Sequence, residues 1–308
     1  MSKYVGKRLL HAMFVILGVA TVAFFLVRLT GDPIAILMPA DATVEQMDAM
    51  RAFYGLDRPV YVQYGVFLQN LLRLDLGDSL RYHQPVLELI LERIPYTLEL
   101  AVSAMLLALI VALPTGIFMA LKRGTLADQG TMAAVSVLQA MPVFWLGILL
   151  MMLFSVRLKW LPTGGYGSWK QFILPTVALS TNYIALVARL LRSSLIEVMD
   201  TDYIRTARAK GLLPPKVIQK HAFRNSMLPV VTVIGLQFGG LLGGSIVTET
   251  VFSWPGIGQL LVNAISYRDF PTVQGCVILL STIFVLINLL VDIFYVFIDP
   301  RITYEQKR

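Results

Sequence analysis

Six long apolar stretches alternate with polar segments along the 308-residue chain. Each is close to the roughly 20 residues that an α-helix needs to cross a bilayer. Because backbone polar groups in lipid must be satisfied within the segment, each stretch is predicted to be helical. The pattern therefore predicts an all-α membrane protein with six transmembrane helices and both termini on one face. The predicted spans are approximately 9–29, 97–121, 132–156, 172–190, 227–248 and 273–298.

The first apolar stretch could alternatively be a cleaved signal peptide. Its apolar run is too long for the core of such a peptide, and no small-x-small cleavage pattern follows it. We therefore expect it to be retained as a transmembrane helix.

Proline and glycine residues interrupt three of the predicted spans. Pro114 and Gly116 lie in the second, Pro142 and Gly147 in the third, and Pro175 early in the fourth. A proline leaves a backbone carbonyl unpaired, which lipid tolerates only where neighbours or a cavity supply a partner. These positions are predicted kinks, serving either helix packing or the lining of a pathway.

The long polar segment after the first span is predicted to contain two short helices. Thr43 and Gln46 have the spacing of a capping box, which predicts a helix from there to about residue 54. A second helix is predicted to begin at Pro59, with an apolar face that packs on the spans or lies on the membrane surface.

Composition and charge agree with a membrane location. Hydrophobic residues make up 56% of the chain and charged residues 15%, and the mean hydropathy is +0.70. The formal charge of +7 does not indicate nucleic-acid binding, because the basic residues fall mostly in the gaps between spans. Their distribution favours cytoplasmic termini, although Arg157, Lys159 and Lys170 run against that orientation.

The polar segment 190–228 separates the fourth and fifth spans and is predicted to be cytoplasmic. Asp200 or Thr201 could cap a short helix there, Gly211 could end it, and Pro214 could begin a second one. Arg205, Arg208 and Lys210 would supply charge, whereas the small Thr206 and Ala207 would allow another surface to approach. An ordinary solvated basic loop is the alternative.

The residue pattern in this segment resembles a known family. Arg205-Thr206-Ala207-x-x-x-Gly211, followed by Asn225-x-x-Leu228-Pro229, resembles the Glu-Ala-Ala-x-x-x-Gly loop of ABC importer permeases. The departures from the general motif are similar to the dipeptide, oligopeptide, nickel and glutathione branch. Three further segments resemble that branch, in the same order along the chain: Leu74–Ser79 with Arg93-x-Pro95, Glu249–Gly258, and the ending Asp299-Pro300-Arg301.

This resemblance implies a type I ABC importer permease of the bacterial inner membrane. Residues 1–95 would form the first span with a periplasmic helical segment that supports a substrate-binding protein. Residues 96–308 would form a five-helix permease core. The implied partners are a homologous second permease, one or two ABC ATPase subunits, a periplasmic substrate-binding protein and the lipid bilayer, with no nucleic acid. The implied cargo is di- or oligopeptides, with nickel chelates or glutathione as alternatives.

The resemblance also implies how the segment 190–228 would act. It would be the coupling loop, in which a short helix fits a cleft of the ATPase. The residues that would carry this contact are Arg205, Thr206, Ala207, Arg208, Lys210 and Gly211.

Glycines in the fifth span form a second candidate site. Gly239, Gly240, Gly243 and Gly244, with Gly235 before them, have the spacing that permits close helix approach. Since a pathway in this family lies between two subunits, we assign this face to subunit contact or to the pathway wall, with packing inside the chain as an equal alternative.

Two acidic positions at the ends of spans are further candidates. Glu249 is expected to pair with Arg268 or to face the translocation pathway. Gly256 and Gly258, just beyond it, are expected to supply the backbone angles of a tight turn.

Asn288 and Asp292 lie four residues apart in the last span, and a structural polar contact is favoured over a proton relay or substrate contact.

Catalytic motifs are absent from the sequence. No nucleophile, zinc-protease or phosphate-binding loop motif occurs, so ATP and Mg²⁺ would have to be bound by partner ATPase subunits. His11, His83 and His221 are scattered, which argues against a metal site, and the single Cys276 is expected to be a small buried hydrophobe. A self-contained secondary transporter or channel is the alternative of another class, but matched internal repeats with broken helices are lacking.

Overall fold

The computed structural model describes residues 2–29, 34, 42–53 and 55–298, with the side chains at 2–5, 53, 244 and 292–298 left undescribed. The helices in these ranges are α1 Ser2–Leu29, α2 Val44–Phe53, α3 Val60–Leu72, α4 Val86–Leu121, α5 Leu126–Ala140, α6 Val143–Leu150 with a π-helical continuation Met151–Arg157, α7 Trp169–Met199, α8 Asp202–Ala209, α9 Arg224–Val251, α10 Ile257–Ser266 and α11 Phe270–Ile298.

Five of the described helices are long and apolar enough to cross a membrane, and α5 with α6 could form a sixth crossing. The third predicted span is broken far more sharply than a kink, because α5 and α6 meet at an angle of 99°. Met141 has an extended backbone and Pro142 precedes the first turn of α6. A proline disfavours helical geometry in the residue before it, so the break falls where Pro142 predicts a disturbance.

Contacts between distant segments establish which helix ends share a face. We call the end of the bundle where α1 begins the near face, and the opposite end the far face. Arg123, after α4, bonds to Asp200, after α7, at 3.0 Å, and both lie on the near face. The amide of Gly165, after α6, donates to the carbonyl of Phe252, after α9, at 2.8 Å on the far face. The bent pair α5–α6 therefore carries the chain from one face to the other.

The second predicted span begins earlier than the sequence indicated. Helix α4 has 36 residues, which at 1.5 Å per residue is about 54 Å, well beyond the roughly 30 Å of hydrocarbon. The helix is therefore longer than a span requires, and the turns before residue 97 lie at its far-face end. Pro95 and Pro114 both lie inside this continuous helix.

Helices α4 and α7 form the centre of the bundle. At Gly116 of α4, an added Cβ would lie 2.8 Å from the carbonyl oxygen of Ala188 and 3.0 Å from the Cβ of Leu191. Gly116 therefore allows close packing of α4 on α7, and the helix continues through the predicted kink. Apolar side chains from α9 complete this core.

Helix α1 packs along α11 at the edge of the bundle, and α3 covers its far-face end. The hydroxyls of Thr21 and Tyr64 lie 2.8 Å apart, and Phe24 contacts the rings of Tyr64 and Phe67. These contacts confirm that α3 packs its apolar side on a span. The predicted capping box before α2 is also confirmed, since Thr43 and Gln46 exchange both of its hydrogen bonds.

Candidate functional site

The near face carries a polar bend at residues 200–223, which we call the elbow. Its helix α8 begins after Thr201 and ends before Gly211, whose φ of +76° is in the left-handed region predicted for that position. Within the described part of the chain, no atom lies within 4 Å of a Cβ built on Gly211, so its backbone conformation is what requires a glycine. The predicted side-chain cap is absent, because the Thr201 hydroxyl donates to the Val198 carbonyl at 2.5 Å.

The second arm of the elbow is not the separate short helix that the sequence predicted. Pro214 begins a helical turn as expected, but the chain continues through the π-helical segment Val217–Phe223 directly into α9. Neither glycine nor proline occurs in that segment to stop the helix. The elbow is therefore joined to the fifth span without a flexible joint.

Helix α8 has a buried face and an exposed face. Ile204 is 0% exposed and Ala207 is 7% exposed. Both pack against Leu195 of α7 and against Val217 and Ala222 of the second arm. The small Ala207 thus serves close packing within the chain. The exposed residues of the helix are Asp202, Tyr203, Arg205, Thr206, Arg208 and Ala209, and the exposed Lys210 follows them.

One hydrogen bond attaches the elbow to α9, and another joins α7 to α9 beside it. The Asn225 side chain at the start of α9 donates to the Tyr203 hydroxyl at 2.9 Å, and the Ser194 hydroxyl of α7 donates to the carbonyl of Ser226 at 3.0 Å. The ion pair of Arg205 with Asp202 is solvent-exposed at 3.3 Å, so it contributes little to stability. A displacement of α8 would consequently move α7 and α9 together.

A buried ion pair on the near face was missed by sequence reasoning. The guanidinium of Arg192 in α7 donates to both carboxylate oxygens of Asp128 in α5, at 2.7 and 2.6 Å. Asp128 is 2% exposed and also accepts the Gly124 amide at 3.0 Å. The pair holds the start of α5 on α7, one to two turns from the elbow. No local pattern reveals it, because the partners are 64 positions apart.

On the far face, Glu249 caps helix α10. Its Oε2 accepts the amides of Gly258 at 2.7 Å and Gln259 at 3.2 Å, and its Oε1 accepts the Ser245 hydroxyl at 3.1 Å. Carboxylates are favourable at helix N-termini, where amides lack partners. The expected pairing with Arg268 is not formed. Glu249 is fully buried within this chain.

Gly256 and Gly258 are required for a reason other than the predicted one. Gly256 has φ −91° and ψ −176°, which any residue adopts. An added Cβ there would lie 2.4 Å from the Glu249 carboxyl carbon, and one on Gly258 would lie 2.4 Å from the Cα of Ile246. Both glycines thus make room for the capping carboxylate and its helix.

The turn after Glu249 joins several spans. The indole nitrogen of Trp254 donates to the carbonyl of Tyr96 at 2.9 Å, and its ring packs edge-on against Tyr166. Tyr166 donates its hydroxyl to Glu99 at 3.2 Å. The charge of Glu99 raises the pKa of Tyr166, so the hydroxyl stays protonated and remains a donor.

Asp269 anchors the segment before α4 to the segment before α11. It accepts the Ser79 hydroxyl at 2.5 Å, the Leu80 amide at 3.1 Å and the Thr272 hydroxyl at 2.7 Å. Ser79 and Asp269 are 190 positions apart, so no local pattern predicts that they meet.

The glycines of α9 divide into two groups. Gly235 and Gly239 pack inside the chain, where an added Cβ would lie 2.6 Å from Val291 and 3.2 Å from Phe284. Built Cβ atoms on Gly240 and Gly243 meet nothing within 4 Å. Gly244 is not described at side-chain level.

The polar positions of the last span are only partly described. The side chain of Asn288 donates to the carbonyl of Phe284, four residues before it, at 3.0 Å. The side chain of Asp292 and all of 299–308 lie outside the described residues.

Two family models together cover nearly the whole chain. Residues 112–304 match the binding-protein-dependent transport system inner membrane component, and residues 1–101 match the N-terminal region of the same membrane components. The chain belongs to this family. It is therefore a permease subunit of the ABC importer class, an all-helical transport component as the sequence predicted.

Named relatives match this permease over 99% of its length. It is 41% identical to the "Di/tripeptide transport system permease protein DppB" of Pseudomonas aeruginosa and 43% identical to the "Glutathione transport system permease protein GsiC" of Salmonella choleraesuis, covering 100% of each. Its fold is similar to a chain of the inward-facing MetNI methionine ABC transporter, with a TM-score of 0.57, 20% identity and coverage of 67% of this chain and 94% of that one.

Proposed function

We propose that this permease forms half of the pathway of an importer for short peptides, and that a separate ATPase drives it through the elbow. The geometry of α8 carries this proposal. Ile204 and Ala207 fix the helix to two spans, while the exposed side presents Arg205 and Arg208 to the solvent. A helix that packs on its own chain on one side and is exposed to solvent on the other is suited to transmit the movement of a docked partner.

The proposed orientation has the near face in the cytoplasm, where ATP is available. Lys7 and Arg8 at the start of α1 and the basic residues of the elbow lie on that face, as expected for cytoplasmic segments. In this orientation both termini would be cytoplasmic. Helices α2 and α3 would lie on the periplasmic side of the inner membrane, and a substrate-binding protein would dock there, on the far face.

The proposed coupling is a shift between two conformations of a permease pair. ATP binding would bring the two ATPase subunits together and draw the two elbows with them. Because α8 is fixed to α7 and joined to α9, both spans would tilt with it and change which face the pathway opens to. The ATPase must bind the two conformations with different affinity, since otherwise it could not shift their populations.

The second permease subunit would contact the open part of α9. In the described part of the chain, no atom lies within 4 Å of a Cβ built on Gly240 or Gly243, and small residues allow two helices to approach closely. This surface is the proposed subunit contact or pathway wall. Gly235 and Gly239 are instead used for packing on α11.

Short peptides are the proposed substrates. The names of the two relatives DppB and GsiC refer to di- and tripeptides and to glutathione, and glutathione is itself a short peptide. The shared chemistry is a small flexible molecule that carries both an ammonium and carboxylate groups.

Reconstitution of the full importer in proteoliposomes tests this function. Uptake of a labelled dipeptide and hydrolysis of ATP would be measured with Arg205→Glu/Arg208→Glu, and with Lys122→Glu as a control for charge reversal on the same face. We expect the double variant to lose uptake out of proportion to ATP hydrolysis, and the control to keep the wild-type ratio. Normal dipeptide uptake by the double variant would contradict the proposed role of the elbow.

A further inference from the structure

A cavity of about 430 Å³ lies on the far face at the edge of the bundle. It is bounded by the end of α1, the polar side of α3, the turn before α4 and the start of α11. None of the contacts described for the elbow or for the turn after Glu249 involves it.

Gln63 of α3 organises the polar wall of this cavity. Its Oε1 accepts the Arg28 guanidinium through Nη2 at 2.6 Å and Nε at 3.1 Å. Its Nε2 donates to the carbonyls of Arg58 at 2.7 Å and Leu56 at 3.1 Å. The Gln63 side chain therefore holds both the Arg28 guanidinium of α1 and the backbone turn that carries Arg58.

Two arginines and an unpaired amide donor line the cavity. Arg28 and Arg58 both line it, and neither pairs with a carboxylate among the described residues. The Gln274 Nε2 is buried at the cavity wall without a hydrogen-bond partner in the described part of the chain. Asp75 is the acidic residue at the rim, and its Oδ1 already accepts the Gly77 amide at 2.9 Å. Two arginine side chains together with one buried donor that lacks a partner favour an anion.

The depth of Arg28 matches the level of lipid phosphates. Lys7 and Arg28 are 21 positions apart in the continuous helix α1, a rise of about 32 Å, which is close to the thickness of the hydrocarbon layer. With Lys7 at the headgroups of the near face, Arg28 reaches the headgroups of the far face. The Arg28 guanidinium also lies 3.5 Å from the centre of the Phe24 ring, and apolar Phe67 and Ile278 line the cavity.

We propose that this cavity is a binding site for a phosphate group, supplied in the membrane by the phosphodiester of an anionic phospholipid in the far leaflet. Arg28 and Arg58 bind the phosphate oxygens, and Gln274 donates its free N–H to the same group. Phe67 and Ile278 contact the apolar part of the lipid. A lipid bound here fills the space between α1, α3 and α11, so it holds the peripheral first span on the core.

The test uses the purified full importer in detergent after removal of bound lipid. Phosphatidylglycerol is added back and its binding is followed by the shift in thermal unfolding temperature. We expect saturable stabilisation whose midpoint concentration rises roughly fivefold or more in Arg58→Gln and in Arg28→Gln, as for loss of a charged hydrogen bond. Arg73→Gln removes an exposed arginine of the same surface that does not line the cavity, and its midpoint should stay unchanged.

Gln274→Leu separates ligand binding from structural support. Removing an unpaired buried donor should leave the lipid-free unfolding temperature unchanged or higher, while the phosphatidylglycerol midpoint rises. Sodium phosphate identifies the source of the group: stabilisation by phosphate alone shows that the site binds the free anion, whereas stabilisation by the lipid alone assigns the site to the phospholipid. The proposal is overturned if neither probe binds saturably, or if Arg58→Gln and Arg73→Gln weaken binding equally.

Discussion

Arg192 and Asp128 form a two-bond ion pair that joins α7 to the start of α5, with N–O distances of 2.7 and 2.6 Å. The carboxylate is buried, whereas the guanidinium is partly exposed. Removing one partner of a buried pair leaves an uncompensated charge. This pair is therefore expected to keep α5 and α7 together when the elbow moves.

Asp128→Asn should destabilise the purified permease by about 3 kcal/mol, the lower end of the range for a broken buried pair. Arg123→Gln, which breaks the exposed pair with Asp200, should cost less than about 1 kcal/mol. Thermal or denaturant unfolding of both variants measures the difference. Equal losses of unfolding free energy in the two variants would show that the buried pair is no more stabilising than the exposed pair.

Gly211→Val should impair coupling without blocking membrane insertion. A side chain at φ +76° costs about 1–2 kcal/mol in that conformation, and no neighbouring atom lies close enough to add a clash. Gly211→Asn is the matched control, because asparagine tolerates left-handed geometry. The ratio of dipeptide imported to ATP hydrolysed should fall for valine and stay near wild type for asparagine. A normal ratio with valine would argue against a conformational role for Gly211.

Gly256→Ala should destabilise the far-face turn by about 1–3 kcal/mol, as expected for overpacking. The new methyl group would collide with the Glu249 carboxylate and displace it from the α10 amides. Gly130→Ala is the control, since Gly130 lies in a helix with open space around it and alanine favours helix by up to about 1 kcal/mol. Unfolding temperatures should move in opposite directions, and a neutral Gly256→Ala would mean that the turn can rearrange.

Gly240→Leu and Gly243→Leu should leave the chain folded but weaken its pairing with the second permease. Among the described residues, no atom lies within 4 Å of a Cβ built at either position, so an added side chain enters open space at the proposed subunit contact. Gly239→Leu should instead reduce the amount of folded permease, because Phe284 lies against it. Co-purification of the second permease with each variant separates these outcomes. Unchanged pairing at both 240 and 243 would remove this surface from the subunit interface.

The spans could be predicted because a long apolar run is a local signal. Gly211 and Pro214 likewise predicted where the elbow turns, since each acts on its own backbone. The π-helical continuation into α9 was not predicted, and the 99° break at Pro142 was anticipated only as a kink. Both features depend on how the helices pack against one another, and a local sequence pattern does not show this.

The long-range contacts could not be read from the sequence. Ser79 and Asp269 are 190 positions apart. Glu249 was expected to pair with Arg268 or to face the translocation pathway, whereas its partners are two backbone amides and the Ser245 hydroxyl. Gly256 was recognised as a glycine-dependent position, but the close approach that requires it appears only when α9 and α10 are placed together.

Cysteine cross-linking at the elbow tests the central claim most directly. Arg205→Cys places a thiol on the exposed face of α8, while the native Cys276 is buried and should not react. Tyr61→Cys, on exposed far-face α3, is the control for labelling from outside. Position 205 should cross-link to the ATPase subunit in inside-out vesicles and resist a membrane-impermeant maleimide applied to intact cells, whereas position 61 should be labelled. Labelling of position 205 from outside, with no cross-link to the ATPase, would contradict the account.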